Sequence, residues 1–316
     1  YKVVAVVDPI EDRRREAVEK FNCRAYSEFE QFLDDREVEL VVIATPSHLH
    51  AKQTIEALKA GKHVVCEKPM AKTLSEADEM VKTARETGKT LTIFQNSLFM
   101  PDFLKVKEVI GSGKLGEVVL VKIYAHSFGR RWDWQTLKKY GGGELRNNGV
   151  HYIIQALDLM GNKDPIVFCD LRRTLTLGDA EDHVKILLKA PGAPLVDIEV
   201  THACAYPQNK WLIMATRGSL TGTLRTLKWK YFKPGDLPPR KVLETPTPDR
   251  SYNVEEIPWI EESWTTTKDV FEESRITFYK KLYKTLKYGE PPPVPPEKAR
   301  KVMEIIEKCY KQCNNL

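Results

Sequence analysis

From Val3 to Phe94 the chain repeats one pattern, a short apolar run followed by an amphipathic helical stretch, and this period constrains the fold more than any other feature. Val3 to Val7 reads as a strand, Glu11 to Phe21 as a helix, Cys23 to Ala25 as a brief strand and Glu28 to Leu33 as a helix. Strand Leu40 to Ala44 precedes helix Ala51 to Ala60, which ends at Gly61. Strand His63 to Cys66, helix Leu74 to Thr87 capped by Gly88, and strand Thr90 to Phe94 complete the series. Such a period predicts an α/β fold with a doubly wound parallel sheet flanked by helices.

From Glu117 the texture changes to longer alternating segments at Val118 to Ala125, Val167 to Leu175, His183 to Lys189, Leu195 to Thr201 and Trp211 to Thr216. They predict one large, open, mainly antiparallel sheet. Helices are expected at Val150 to Leu159, Phe271 to Leu286 and Lys298 to Tyr310, with the Pro-rich joint Pro291 to Pro296 before the last. They would cover one face of that sheet or pack back on the first half. A chain of 316 residues exceeds the usual size of one core, so two domains sharing a cleft are expected, 1–118 and 119–316.

Composition narrows the function classes. Hydrophobic residues at 42% and charged residues at 29% are globular values, without repeats or low-complexity tracts. The formal charge of +5, from 49 basic and 44 acidic residues mixed along the chain, is too weak a bias for a nucleic-acid partner and suits a small anionic ligand equally well. No apolar run approaches the roughly 20 residues of a membrane helix, and a cytoplasmic protein is expected. Cys23, Cys66, Cys169, Cys204, Cys309 and Cys313 are scattered, with no Cys-x-x-Cys spacing, so free thiols and no metal site are expected. Cys309 and Cys313 share a helical face at i,i+4, with no further ligand residue beside them. His183, in Glu181-Asp182-His183, opens a strand and is not read as a metal ligand.

A dinucleotide-binding fold of this kind opens with a strand and a Gly-rich turn whose N–H groups hold the pyrophosphate. Neither precedes Val3. Asp8 instead ends the first strand, where a second strand carries the acidic residue for the adenosine ribose. The chain is therefore expected to enter the fold at strand two, as part of a longer chain. In the order 3-2-1-4-5-6 this leaves two raw edges and a gap at the centre of the sheet.

Three separated segments carry chemistry together. Ala44-Thr45-Pro46-Ser47-His48-Leu49-His50 runs from a strand end into a helix start, at the carboxyl edge where ligands bind. Gly61-Lys62-His63-Val64-Val65-Cys66-Glu67-Lys68-Pro69 delivers Glu67 and Lys68 to the same edge, and Pro69 redirects the chain. Gly141-Gly142-Gly143-Glu144-Leu145-Arg146-Asn147-Asn148-Gly149-Val150-His151 is a glycine run leading into a helix, flexible by composition. On it Asn147 and His151, four apart, share one face and can reach the same substrate atom. Taken singly, Ser47 is an ordinary N-cap, Glu67-Lys68 a surface pair and the glycines a loop.

In this order and at these intervals the segments resemble the glucose-fructose oxidoreductase/inositol dehydrogenase (Gfo/Idh/MocA) family, over nearly the whole chain. The most specific parts are Thr45-Pro46, Glu67-Lys68-Pro69 and Gly149-Val150-His151. The resemblance implies a Rossmann domain followed by an α/β domain with a large open sheet, NAD(H) or NADP(H), a sugar or cyclitol substrate, and a homodimer or homotetramer formed through that sheet. It implies that Lys68 touches the nicotinamide ribose and the reacting hydroxyl, that His151 is the acid/base, and that Asn147 stands beside them. Cofactor contacts are implied for Asp8, Arg13, Thr45, Pro46, His50, Glu67 and Asn96, and a place facing the substrate for Tyr279. An imidazole suits proton transfer and an ammonium suits a developing alkoxide.

The chain departs from the common pattern at Asn147 and Ile154, where relatives often carry Asp, and at Ser97 and Leu98, which replace basic residues. An amide can orient His151 but cannot raise its pKa by charge. Asp8 would repel a 2′-phosphate and favours NAD, whereas Arg13 to Arg15 would tolerate NADP; Arg13 is alternatively placed to stack on adenine. Arg130, Trp132 and Trp134, in Phe128 to Gln135, are candidate substrate contacts, with core anchoring as the other reading of the two indoles. The expected activity is a dehydrogenase or reductase of a ring hydroxyl in a sugar, glycoside, sugar acid or cyclitol. The rival readings are a glycosidase working by transient oxidation and elimination, and a non-catalytic dinucleotide sensor.

Overall fold

The computed structural model describes residues 1–247 and 250–313. Its first half follows the βα period as β1 (Ala5–Val7), α1 (Glu11–Phe21), β2 (Arg24–Tyr26), α2 (Phe29–Leu33), β3 (Leu40–Ile43), α3 (His50–Lys59), β4 (His63–Cys66), α4 (Leu74–Thr87) and β5 (Leu91–Ile93). The bounds of α1, β4 and α4 coincide with those expected. In α4 the reason is local: Thr73 and Glu76 form a reciprocal capping box, and Gly88 closes the helix at φ 64°. β1 pairs in parallel with β2, and β3, β4 and β5 pair in parallel in that order. No pairing joins β1 to β3 among the described residues, so the sheet stands in two pieces with both inner edges unpaired.

The second half contains α5 (Pro101–Gly111), β6 (Val118–His126), α6 (Val150–Leu159), β7 (Ile166–Arg172), β8 (His183–Lys189), β9 (Leu195–Thr201), β10 (Trp211–Ala215), β11 (Gly218–Gly222), β12 (Thr226–Tyr231), β13 (Ile260–Thr265), α7 (Val270–Tyr288) and α8 (Pro296–Cys313). Eight strands form one sheet in the order β13-β12-β11-β10-β6-β9-β8-β7, antiparallel except for the central pair β6 and β9. Four of these elements, α5, β11, β12 and β13, were not announced by the residue pattern. The short Gly-rich β11 and the charged edge strand β13 hold too few apolar residues for alternation to stand out. β7 also ends at Arg172, short of the expected Leu175, because the Asp182 carboxylate takes the N–H groups of Thr174, Leu175 and Thr176 at 2.6, 2.8 and 2.7 Å and turns the chain away from the ladder.

Alternation along the strands sorts the two faces. Val121, Ile123, Ile186, Ile198 and Trp211 are fully buried on one face, where Trp211 stacks on Phe103 of α5 at 6.1 Å. The opposite positions, among them Ile166, Phe168, Leu195 and Met214, stay exposed. Helix α8 lies across β7 and α6 and then reaches the first half, where Arg85 binds Glu297 and Arg300 binds Asp78. The two halves are thereby held against each other along one long helix.

Candidate active site

Because β3, β4 and β5 run the same way, their C-terminal ends place Thr45-Pro46, Glu67-Lys68 and Asn96 at one edge, while Asp8 follows the end of β1 in the separate β1–β2 pair. The glycine run meets that edge from the other half, and it is not the flexible loop its composition suggests. A Cβ on Gly142 would stand 2.1 Å from the Gln135 carbonyl oxygen. Gly143 has φ +115°, and a Cβ there would fall 2.2 Å from Oε1 of Glu181. Only glycine permits this close approach. The run leads into a π turn, Leu145–Gly149, which continues directly as α6.

Lys68, largely buried, donates from Nζ to the Asn147 carbonyl oxygen at 2.7 Å, across 79 positions of sequence. That carbonyl lies in the π turn, one turn before His151. Burial pulls the Lys68 pKa down, Glu67 and Glu144 pull against it, and Arg131 adds to the fall. Glu67 is pushed up by burial, opposed by the N–H and charge of Lys68. His151 is pushed down to about 3 by burial, then by the charges of Lys68 and Lys210. Its Nδ1 is buried and has no hydrogen-bond partner among the described residues.

Asn147 requires a correction. Its amide donates to the Gln135 carbonyl at 3.3 Å, and it is the main-chain carbonyl that meets Lys68. Any residue type at 147 offers that carbonyl, so the Asn-for-Asp departure bears on the packing of the Gln135 segment and not on the Lys68 contact. His50 is corrected as well. It is 1% exposed, with Nδ1 2.7 Å from the Pro69 carbonyl and Nε2 2.8 Å from that of Thr45, so it ties two strand ends together and presents no ring atom to a cofactor. Thr45 donates its hydroxyl to Gln53 at 2.6 Å.

Trp132 and Trp134 are 76% and 40% exposed, which removes the core-anchoring reading of the two indoles, and Arg130 donates to the Leu175 carbonyl at 3.4 Å. Tyr279 packs on Phe94 and Tyr1 and lies within electrostatic reach of Glu67. Asn96 donates to Ser274 at 3.2 Å.

A residue the pattern passed over, Glu144, organises the opposite side of the π turn. It is 3% exposed and lies 3.4 Å from Arg131, 3.0 Å from Nε2 of His202 and 2.5 Å from the Asn148 amide. Burial works to raise its pKa, but His202, Asn148 and Arg131 outweigh it and hold the carboxyl below its ordinary value. The same contact raises His202. No local signal marked it: Arg131 lies 13 residues away and His202 on another strand end, and only the fold joins them. Glu144, Asn148 and Tyr152 line a cavity of about 530 Å³ together with His126, His202 and Lys210, one position round the helix from Asn147 and His151.

The neutrality of His151 has a measurable cost. The unfolded chain takes up a proton at this imidazole near pH 6.5, while the folded chain resists until about 3, so stability falls as the pH drops through that window. The slope from this one group is at most about 1.4 kcal/mol per pH unit. His151→Gln is expected to flatten the acid side of a plot of Tm against pH. An unchanged slope would mean the imidazole is not held neutral.

Two groups present suit a nicotinamide dinucleotide: the Asp8 carboxylate after β1, bound by the Ile10 N–H at 2.8 Å and by Arg13 at 3.5 Å, and the Lys68 ammonium bonded to the π turn that leads into His151, whose Nδ1 is unpartnered among the described residues. Among the described residues no group of three or more His, Cys, Asp or Glu could hold a metal ion, and no helix is long and apolar enough to cross a membrane.

Comparison with known proteins agrees with this geometry. The chain is 34% identical over 207 residues to an oxidoreductase of Schizosaccharomyces pombe, C26H5.09c, an alignment covering 63% of this chain and 56% of that protein. It is 35% identical over 139 residues to the scyllo-inositol 2-dehydrogenase (NADP(+)) IolW of Bacillus subtilis, covering 42% of this chain and 38% of that one. The chain thus spans little more than half the length of these curated relatives, or less. The crystal structure of the WlbA dehydrogenase from Bordetella pertussis, solved with NADH and UDP-GlcNAcA, has the same fold, with a TM-score of 0.75 over 99% of this chain and 88% of that one at 20% identity. Residues 1–95 match the family model described as "Oxidoreductase family, NAD-binding Rossmann fold", and residues 103–221 match the model of the GFO/IDH/MocA C-terminal domain. With both models matched in order over more than half its length, and with the crevice between them carrying Lys68 and His151, the chain belongs to the Gfo/Idh/MocA family of oxidoreductases.

Proposed function

We propose that this oxidoreductase transfers a hydride between NAD(H) and a ring hydroxyl of a sugar, glycoside, sugar acid or cyclitol. The observation that carries the reading is the 2.7 Å bond from Lys68 to the carbonyl one turn before His151, which joins an amine from the first half to the helix bearing an imidazole in the second. The nicotinamide, when bound, accepts or returns the hydride.

The protein residues manage charge and protons around that carbon. Lys68 presents a desolvated ammonium to the carbinol oxygen, where an alkoxide develops as the C–H bond weakens. His151 is neutral at working pH and takes the hydroxyl proton. In the empty site burial and, after it, the Lys68 charge depress this imidazole; a substrate alkoxide offsets the second of these, so the ring becomes a better base as the reaction proceeds. Glu67 and Glu144 oppose the loss of the Lys68 proton. The cavity beside Glu144 and Tyr152 is of a size for a monosaccharide, and its His126, His202 and Lys210 side chains can hold hydroxyls that do not react. Asp8 favours NAD over NADP. The open face of the large sheet, with Ile166, Phe168, Leu195 and Met214 exposed, is the surface through which copies of the chain pair as a homodimer or homotetramer.

The test is a screen of cyclitols, aldoses, sugar acids and glycosides with NAD and with NADP, followed by dinucleotide absorbance, on the protein and on His151→Ala. Net dinucleotide reduction by one class, falling about 10²- to 10⁴-fold in the variant, is expected. Cleavage of a glycosidic bond without net reduction would replace this reading with the transient-oxidation one.

A further inference from the structure

Cys169, on the buried face of β7, and Cys313, in the last described turn of α8, hold their sulfur atoms 3.4 Å apart although 144 positions separate them. We propose that these two thiols form a peroxide-sensitive disulfide switch, and that its state is read by the catalytic turn through Tyr310.

The thiols are positioned for exchange. Cys169 directs its S–H to the Cys309 carbonyl at 3.3 Å, and Cys313 directs its own to the Cys169 carbonyl at 3.6 Å. Burial pushes Cys313 up to about 11, whereas the neighbouring cysteines work to lower Cys169 against its own burial, so Cys169 is the more readily ionised sulfur of the pair. Cys313 is half-buried and gives small oxidants a way in. The Cys169 thiolate attacks one oxygen of hydrogen peroxide, the O–O bond breaks, and hydroxide leaves and is protonated to water. The resulting sulfenic acid is attacked by the Cys313 sulfur, the S–S bond forms, the S–O bond breaks and a second water departs with the Cys313 proton. Two thiols have then given two electrons to one peroxide.

The link to the site runs through the same stretch of α8. Between Cys309 and Cys313, Tyr310 donates its hydroxyl to Oε1 of Glu181 at 2.8 Å, and that oxygen also receives the Leu145 N–H, the first of the π turn, at 3.2 Å. Arg146, in the turn itself, lies 4.3 Å over the Tyr310 ring. A disulfide needs the sulfurs about 2.0 Å apart. Drawing Cys313 inward therefore moves the helical turn that carries Tyr310, and with it the support beneath Leu145 to Gly149.

The full chain, reduced and then exposed to dilute hydrogen peroxide, is alkylated, digested and mapped by mass spectrometry, and its amide exchange is compared in the two states. Expected are a cross-linked peptide pair joining Cys169 to Cys313, its reversal by dithiothreitol, and a several-fold change in exchange at residues 143–149. Both changes should be absent in Cys313→Ser, and the free thiols Cys23 and Cys204 serve as internal references for general oxidation. The proposal is overturned if Cys169 and Cys313 remain alkylatable while Cys23 and Cys204 oxidise, if the cross-link joins another pair, or if the disulfide forms and the turn exchanges as before.

Discussion

Lys68→Ala is expected to lower turnover by about 10²- to 10³-fold, the usual cost of removing one preorganised charge from a developing oxyanion. The ammonium is largely buried, so its field acts through protein and not through water, and its direction is set by the bond to the Asn147 carbonyl at 2.7 Å. The loss should fall mainly on kcat, because the charge that Lys68 meets is largest in the transition state. Dinucleotide affinity and Tm measured on the same variant separate this from general damage. The change also strips the Asn147 carbonyl of its donor and leaves Glu67 and Glu144 without their shared cation, so some stability is lost as well. Undiminished turnover in a folded Lys68→Ala protein would remove the electrostatic role and, with it, the proposed mechanism.

Gly143→Ala is expected to destabilise the chain by about 3 kcal/mol or more, combining a positive φ with the loss of buried hydrogen bonds. At φ +115° the new Cβ would press on the Glu181 carboxylate from 2.2 Å, and that carboxylate cannot yield freely because it holds both Leu145 and Tyr310. Displacing it loosens the π turn that aims the Asn147 carbonyl and His151, so activity should fall along with Tm. Gly111→Ala is the matched control. It closes α5 with nothing within 4 Å of a built Cβ and no positive φ, and should leave Tm unchanged or slightly higher. Equal stability of the two variants would mean that the glycine run is as yielding as its composition suggests.

The contrast between these two glycines reflects how much of the site was readable in advance. Lys68 and His151 stood out because each sits in a short motif with a recognisable neighbour, Pro69 in one case and Gly149 in the other. Glu144 and Glu181 did not, since neither has a local partner: Arg131, His202 and Tyr310 come to them from 13, 58 and 129 positions away. Trp132 and Trp134 were read as candidate sugar-binding surfaces from residue type alone. Their exposure of 76% and 40% excludes the alternative reading of them as core anchors.

Periodicity by itself determined part of the architecture: the βα alternation through Ile93, the helices α1, α4 and α6 almost to the residue, and the change to an open, mainly antiparallel sheet after Val118, though not α5, β11, β12 or β13. These are consequences of local propensity and of which face each residue must bury, and both are properties of neighbours in the chain. Only the tertiary structure decided that Lys68 meets the Asn147 main-chain carbonyl, that His50 is spent on two carbonyls, and that His151 is held near a pKa of 3. Burial and charge at these atoms are set by groups distant in sequence, and no local pattern encodes the distance between them.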